Sequence, residues 1–332
     1  MKQYMVKVRK DGSGDTQTIA EAIGIAEAMQ QNAGEEEITV EINIGAGSYR
    51  EKLQLMQNHV SLVARGRDEV VIEYGDYALM ILPDGVKRGT FRTQTVFVCA
   101  DDFYAKNIIF RNTSGFGAKV GQAVAFYADG TRMMFEGCRF LGRQDTLFTA
   151  PLPPSVVEAG GFRGPGEHTP RRNGVHYYKD CYIEGDVDFI FGGATAFFES
   201  CEIRSLNRGE EINGYVTAAS TPEGREYGYV FDRCRFTSDC PEETVYLGRP
   251  WRSFAKTVIM NSELGAHIKK EGWHDWNKTD ARKSTFYAEY GNTGPGADTS
   301  GRVDWCHILT AEEAACFAKE RVLSGTFSLD TE

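Results

Sequence analysis

Short apolar runs follow one another along most of the chain, and Gly, Asn and Asp separate them. Examples are ITVEINIG, VSLVARG, EVVIEYG, TVFVCADD and AVAFYADG. Short apolar runs bounded by turn-forming residues predict β-strands. Two segments instead have helical periodicity, TQTIAEAIGIAEAMQQ near the start and TAEEAACFAKERVL near the end. The pattern therefore predicts an all-β chain with a helix near each end.

One pattern recurs: an aromatic residue, two further residues, a cysteine and, two positions later, an apolar residue. It occurs around Cys138, Cys181, Cys201 and Cys234. Two related copies have Asn107 and Asn261 in the place of the cysteine, and successive copies are 20 to 43 residues apart. Short strands at irregular spacing are typical of a solenoid whose coils carry loops of different length, whereas a β-propeller needs a steadier period.

We therefore expect a right-handed parallel β-helix with short helical caps at its N- and C-terminal ends, and a generic β-sandwich is the alternative. The 332 residues fit one domain, 1–332. The Pro- and Gly-rich segment 149–173, TAPLPPSVVEAGGFRGPGEHTPRRN, has no period. A loop of this length inside a compact domain is usually functional or disordered, so we interpret it as a loop insertion.

Charge and cysteine usage narrow the possible partners. The net charge of −10 argues against a nucleic-acid partner. No apolar run reaches the length of a membrane span. The sequence has no CxxC pair, so the cysteines are expected to be free thiols that bind no zinc. The N-terminus lacks the apolar segment of a secretory signal, so we expect a cytoplasmic protein; secretion with the signal removed is the alternative.

Asp188 stands out because it lies directly before Phe189, Ile190 and Phe191 in DVDFIFG. Burying a carboxylate costs several kcal/mol unless a partner compensates it. Asp145 lies 43 residues earlier. Without the long loop this separation is about one coil, which would place the two acids on neighbouring rungs about 4.8 Å apart. Two carboxyl groups that close titrate as a pair, one ionised and one protonated.

An isolated Asp among apolar residues is more often a turn former or part of a structural ion pair than a catalyst. Here other polar residues occupy comparably apolar runs, which favours a site. They are Gln122 in QAVAFY, Gln144 beside Asp145, and Arg249 in YLGRPW.

Five blocks together resemble the pectin methylesterases, a carbohydrate esterase family. They are GSYREK at 47–52, GQAVAF at 121–126, QDTLF at 144–148, DFIFG at 188–192 and LGRPW at 247–251. The resemblance extends over nearly the whole chain and implies a parallel β-helix. The long loop after QDTLF departs from the family's usual short link.

The resemblance implies hydrolysis of the methyl esters of galacturonate in pectin. Asp188 would be the nucleophile, with Arg249 balancing its charge, and Gln122 and Gln144 would form an oxyanion hole. Asp145 would act first as acid and then as base. No metal or cofactor enters this scheme.

The expected partner is methyl-esterified homogalacturonan or its oligogalacturonates, bound by a monomer that contacts neither nucleic acid nor membrane. Aromatic faces would hold the sugar rings. The residues expected in this role are Trp251, Trp273, Phe189 and Tyr177.

Two alternatives remain at this point. A pectate lyase or polygalacturonase could use the same solenoid, and a lyase would need calcium. A non-catalytic, polysaccharide-binding β-helix is the other alternative, although both acids and Arg249 are present.

Overall fold

The computed structural model of the protein describes residues 2–327, whose strands form three sheets, A, B and C, with all neighbouring strands paired in parallel. The 11 strands of sheet A are Lys2–Val8, Ile38–Ile44, Val60–Val63, Tyr104–Lys106, Met133–Glu136, Val175–Lys179, Thr195–Glu199, Tyr229–Asp232, Lys256–Met260, Phe286–Tyr290 and Cys306–Ile308. The eight strands of sheet B are Gly47–Tyr49, Val70–Tyr74, Ile108–Asn112, Arg139–Leu141, Tyr182–Gly185, Glu202–Ser205, Arg235–Ser238 and Glu263–Leu264. The seven strands of sheet C are Leu53–Leu55, Val96–Val98, Phe126–Ala128, Leu147–Thr149, Val187–Gly192, Gly214–Ala219 and Val245–Gly248.

The chain visits the three sheets in turn. Tyr104–Lys106 of sheet A is followed by Ile108–Asn112 of sheet B and Phe126–Ala128 of sheet C, and sheet A resumes at Met133. Each return lays a strand beside its equivalent in the previous coil. The predicted right-handed parallel β-helix is therefore confirmed, and the β-sandwich alternative is wrong.

Interior side chains form columns along the solenoid axis. In sheet A the rings of Phe135, Tyr178, Phe198 and Phe231 stack on one another, with successive centroids 4.7, 4.6 and 4.4 Å apart. This distance is close to the spacing of neighbouring strands, so each ring meets the equivalent ring of the next coil. The buried column stabilises the solenoid and holds the sheets in register.

The repeated cysteine pattern is a corner between sheets A and B rather than a single strand. The residue before each cysteine has a positive φ, for example 52° at Asp180 and 54° at Arg233. Asn107 and Asn261, with φ of 56° and 50°, occupy that preceding position. Our comparison of the repeats, which put these asparagines in the cysteine's place, is therefore wrong by one residue. Asn favours this left-handed conformation because its side chain can bond locally.

The predicted N-terminal cap is helix α1, Ile19–Ala33. Thr18 and Glu21 form a capping box at its start. Its buried face packs against strands of both sheet A and sheet C, so the helix covers the first coil. The other early helix, α2 at Gly117–Val120, is a single turn.

The predicted C-terminal helix is present in pieces: α3 at Ala311–Ala314, a 3₁₀ turn at Ala315–Phe317 and α4 at Lys319–Val322. These pieces pack on the outer face of sheet A, against Phe197 and Val230 among others, rather than over the open end. Further 3₁₀ turns lie at Thr90–Arg92, Thr279–Lys283 and Pro295–Ala297. In the part of the chain described, no helix is long and apolar enough to cross a lipid bilayer.

Candidate active site

The polar residues of the predicted site lie at the beginning of neighbouring strands of sheet C. Gln122, the pair Gln144 and Asp145, and Asp188 come from three successive coils. The backbone amide of Asp145 donates a hydrogen bond to the carbonyl of Val187 at 3.0 Å. Asp145 and Asp188 therefore stand on adjacent rungs, where the sequence spacing predicts them.

Both acids have left-handed backbone conformations, with φ of 65° at Asp145 and 52° at Asp188. Asp tolerates this region better than most residues. The pairing of the Asp188 strand with its neighbour also shifts register between Val187 and Ile190. Irregular strand geometry of this kind re-aims side chains next to functional sites. It lets Asp188 line an outer cavity although Phe189 and Ile190 point into the core.

Arg249 binds Asp188 in a planar fork. Its Nε lies 2.8 Å from one carboxylate oxygen and its Nη2 lies 2.7 Å from the other. The guanidinium carbon also lies 3.8 Å from the ring centroid of Tyr215 and 3.7 Å from that of Trp276. Because the forked bonds and the two rings restrict its movement, Arg249 supplies a fixed positive charge beside the buried acid.

The two acids differ in how far other groups offset the cost of burying a carboxylate. Burial raises the pKa of Asp145 well above its ordinary value, and the charge of Asp188 raises it further. Burial also raises the pKa of Asp188, but the hydrogen bonds and charge of Arg249 lower it, so its rise is smaller. Of the two acids, Asp145 therefore holds a proton more strongly than Asp188 does.

The two glutamines face the same space. The side chains of Gln122 and Gln144 line the cavity with both acids. Neither side-chain amide has a hydrogen-bond partner among residues 2–327. Their N–H groups can therefore donate to an oxygen of a bound molecule.

These groups open into one cavity of about 310 Å³. Its apolar lining includes Phe91, Phe191, Trp251 and Trp276. This volume is at the lower end of the range for ligand pockets. In the described part of the chain, no group of three or more His, Cys, Asp or Glu side chains could hold a metal ion.

Of the four predicted sugar contacts, only Trp251 lines the cavity. Phe189 is fully buried in the interior. Trp273 is also in the core, where it stacks on Tyr287 at 4.3 Å. Tyr177 lies on the outer face of sheet A and donates a hydrogen bond to Glu199. The structure therefore contradicts these three predictions.

Phe191 lines the cavity, and our sequence reasoning missed it. In a regular strand, Phe189 and Phe191 would share a face. The left-handed conformation at Asp188 breaks that alternation and sends only Phe191 outwards, where it pairs with Phe148. A signal was present in the sequence, because each acid is followed three residues later by a phenylalanine, Phe148 after Asp145 and Phe191 after Asp188.

The long loop covers part of the outer face of sheet C. Leu152 and Phe162 are buried there, in one cluster with Phe148 and Tyr127. Contacts within the protein fix the end of the loop. Arg171 donates hydrogen bonds to three loop carbonyls, and Arg172 forms an ion pair with Asp101 outside the loop. These arginines are therefore occupied by the protein itself.

Comparison with known proteins identifies the family. The profile of the Pectinesterase family matches residues 5–152 and 168–326. Pectinesterase 31 of Arabidopsis thaliana is 35% identical over 320 residues, which cover 94% of this chain and 90% of the relative. Putative pectinesterase/pectinesterase inhibitor 43 of the same plant is 36% identical over 331 residues, but the match spans only 42% of that protein.

Solved structures agree with this assignment. The pectin methylesterase from carrot superposes with a TM-score of 0.78 at 29% identity, covering 96% of this chain and 93% of the carrot chain. A pectin methylesterase in complex with a hexasaccharide gives a TM-score of 0.77 at 29% identity, with coverage of 96% and 97%. The chain therefore belongs to the Pectinesterase family of carboxylic ester hydrolases.

Proposed function

We propose that this chain hydrolyses the methyl esters of galacturonate residues in pectin, with Asp188 as nucleophile and Asp145 as general acid and base. The reaction is that of the Pectinesterase family. The observation that carries the assignment of residues is the forked ion pair of Asp188 with Arg249, beside a buried Asp145 that has no ion pair within residues 2–327. One buried acid is thereby kept ionised and the other protonated.

In the first half of the reaction, a carboxylate oxygen of Asp188 attacks the carbonyl carbon of the ester. Negative charge develops on the carbonyl oxygen, and the amide groups of Gln122 and Gln144 donate hydrogen bonds to it. One such donor typically stabilises the transition state by about 3–4 kcal/mol. The carbon–methoxy bond breaks, and Asp145 gives its proton to the departing methoxide, which leaves as methanol.

The second half releases the acid product. The galacturonate acyl group is now joined to Asp188 as an anhydride. Asp145, ionised after its proton transfer, takes a proton from water while the water oxygen attacks the galacturonate carbonyl carbon. The anhydride bond to Asp188 breaks, the free galacturonate carboxyl leaves, and both acids return to their starting protonation states.

The substrate would lie against the apolar lining of the cavity. Trp251, which is partly exposed, offers a ring surface beside the acids that suits the C–H face of a sugar. One related pectin methylesterase binds a hexasaccharide, which supports methyl-esterified homogalacturonan or oligogalacturonates as the ligand here. Every catalytic group comes from one chain, so we propose a single domain that acts as a monomer.

Methanol release from highly methylated pectin tests the proposal. We expect release without chain shortening or new unsaturated ends, and with the same rate in the presence of a chelator. Asp188→Ala should abolish turnover, by about 10⁴-fold or more. Chain cleavage, or methanol release by Asp188→Ala at the unmutated rate, would contradict the proposal.

A further inference from the structure

One segment of the cavity wall lies outside the part of the chain that the family profile matches. Residues 153–167 fall between the two stretches matched by the Pectinesterase profile. Four of the 16 residues that line the cavity belong to this segment: Val157, Glu158, Gly161 and Phe162. The insertion therefore contributes directly to the surface that a substrate contacts.

The segment is anchored on both sides of these residues. Phe162 is buried, and its ring meets the edges of Phe91 and Trp251 at centroid distances of 5.7 and 6.3 Å. Arg252 donates a hydrogen bond from its Nη2 to the carbonyl of Ser155 at 2.9 Å. A wall held at both Ser155 and Phe162 keeps the residues between them beside the cavity.

Within this wall, Glu158 carries a charge that the protein does not neutralise. The residue is exposed, and its carboxylate makes no ion pair within residues 2–327. Two cationic residues also line the cavity. Arg249 is committed to Asp188, and Arg252 points its Nη2 at the carbonyl of Ser155.

We propose that the insertion selects the esterification state of the sugars next to the scissile ester, with Glu158 as the specificity-determining residue. The inference rests on the proposed pectin methylesterase activity. A free galacturonate brought near Glu158 places two negative charges together, whereas a methyl-esterified galacturonate is neutral and can pack against Val157. Like charges about 6 Å apart in a water-like medium repel by roughly 0.7 kcal/mol, or about threefold in affinity.

The experiment compares two substrates of equal length: an oligogalacturonate that is fully methyl-esterified and one with a single ester among free galacturonates. The readout is the ratio of kcat/KM for methanol release from the two. Glu158→Gln should shift this ratio roughly threefold towards the singly esterified substrate, and Glu158→Lys should shift it further. High salt should reduce the difference between the unmutated protein and both variants.

Glu167→Gln is the matched control, because Glu167 lies in the same segment but does not line the cavity. It should leave the ratio unchanged. An unchanged ratio in both Glu158 variants would overturn the inference while leaving the proposed esterase activity intact. If the unmutated protein releases no methanol from either substrate, the proposed function itself fails, and the two failures are thus distinguished.

Discussion

The outer faces of sheets A and C both hold buried acids under a segment that does not belong to the repeat. On sheet A, Glu199 accepts hydrogen bonds from Tyr177, Arg233 and Lys319, the last of these from the C-terminal segment. On sheet C, Asp188 has Arg249 as its partner, and Asp145 has no ion pair within the described part of the chain.

The pKa values follow this difference in partners. Although burial raises the pKa of Glu199, hydrogen bonds from Tyr177 and Lys319 lower it below its ordinary value. Burial dominates for Asp145 and raises its pKa. A buried acid with several donors is thus a structural anchor, whereas a buried acid with none can carry and transfer a proton. Exchanging or removing these partners tests the distinction.

Of the three substitutions that test this distinction, Asp145→Asn should have the largest effect. The amide cannot donate a proton to methoxide and then act as base, so kcat should fall about 10²- to 10⁴-fold while KM changes little. Steady-state methanol release measures both constants. Asp180→Asn is a suitable control, because Asp180 has the same left-handed conformation, φ 52°, at an exposed corner. Turnover by Asp145→Asn within threefold of the unmutated rate would remove its acid and base role.

A smaller effect is expected for Arg249→Lys. Lysine keeps the charge but loses the fork and the packing between Tyr215 and Trp276, so kcat/KM should fall about 10- to 100-fold. The pKa of Asp188 should rise because its burial is less opposed. Since Asp188 must be ionised to attack, the acidic limb of the pH–rate profile should move to higher pH. Arg235→Lys, which changes an exposed ion pair with Glu202, serves as control. If the acidic limb of Arg249→Lys stays at the pH of the unmutated protein, this account is contradicted.

Substitution of the buried acid on sheet A, Glu199, should affect stability alone. Glu199→Gln should leave methanol release unchanged but lower the free energy of unfolding by about 2 kcal/mol, measured by urea denaturation. Because the pKa of Glu199 is lowered in the fold, its contribution is present above the ordinary Glu pKa and is lost as pH falls through the folded value. The destabilisation should therefore shrink in acid.

The matched control on sheet B is Glu202→Gln, whose partner Arg235 is exposed. Its effect on unfolding should be under about 1 kcal/mol. Lost turnover in Glu199→Gln would mean that the acids of the two outer faces do not have the separate roles assigned to them.

The sequence by itself determined the solenoid and the neighbourhood of the two acids. Strand runs recur whatever the loop lengths, and one coil of chain brings an acid back to the next rung. Gln122 and Gln144 were predicted to accompany them because they are polar residues in comparably apolar runs. The five family blocks supplied the reaction and the roles that we propose for the residues.

Tertiary structure decided where the aromatic side chains point. A left-handed residue such as Asp188 breaks strand alternation, so Phe189 turns inwards and Phe191 outwards. The sequence marks this change only by a phenylalanine three residues after each acid, and the fold is needed to show what that spacing means. Trp273 and Tyr177 were likewise assigned by motif and residue type, which cannot distinguish the core or another sheet from a cavity. The partners of Asp188 and of Glu199 lie 22 to 120 positions away along the chain, and only folding brings them together.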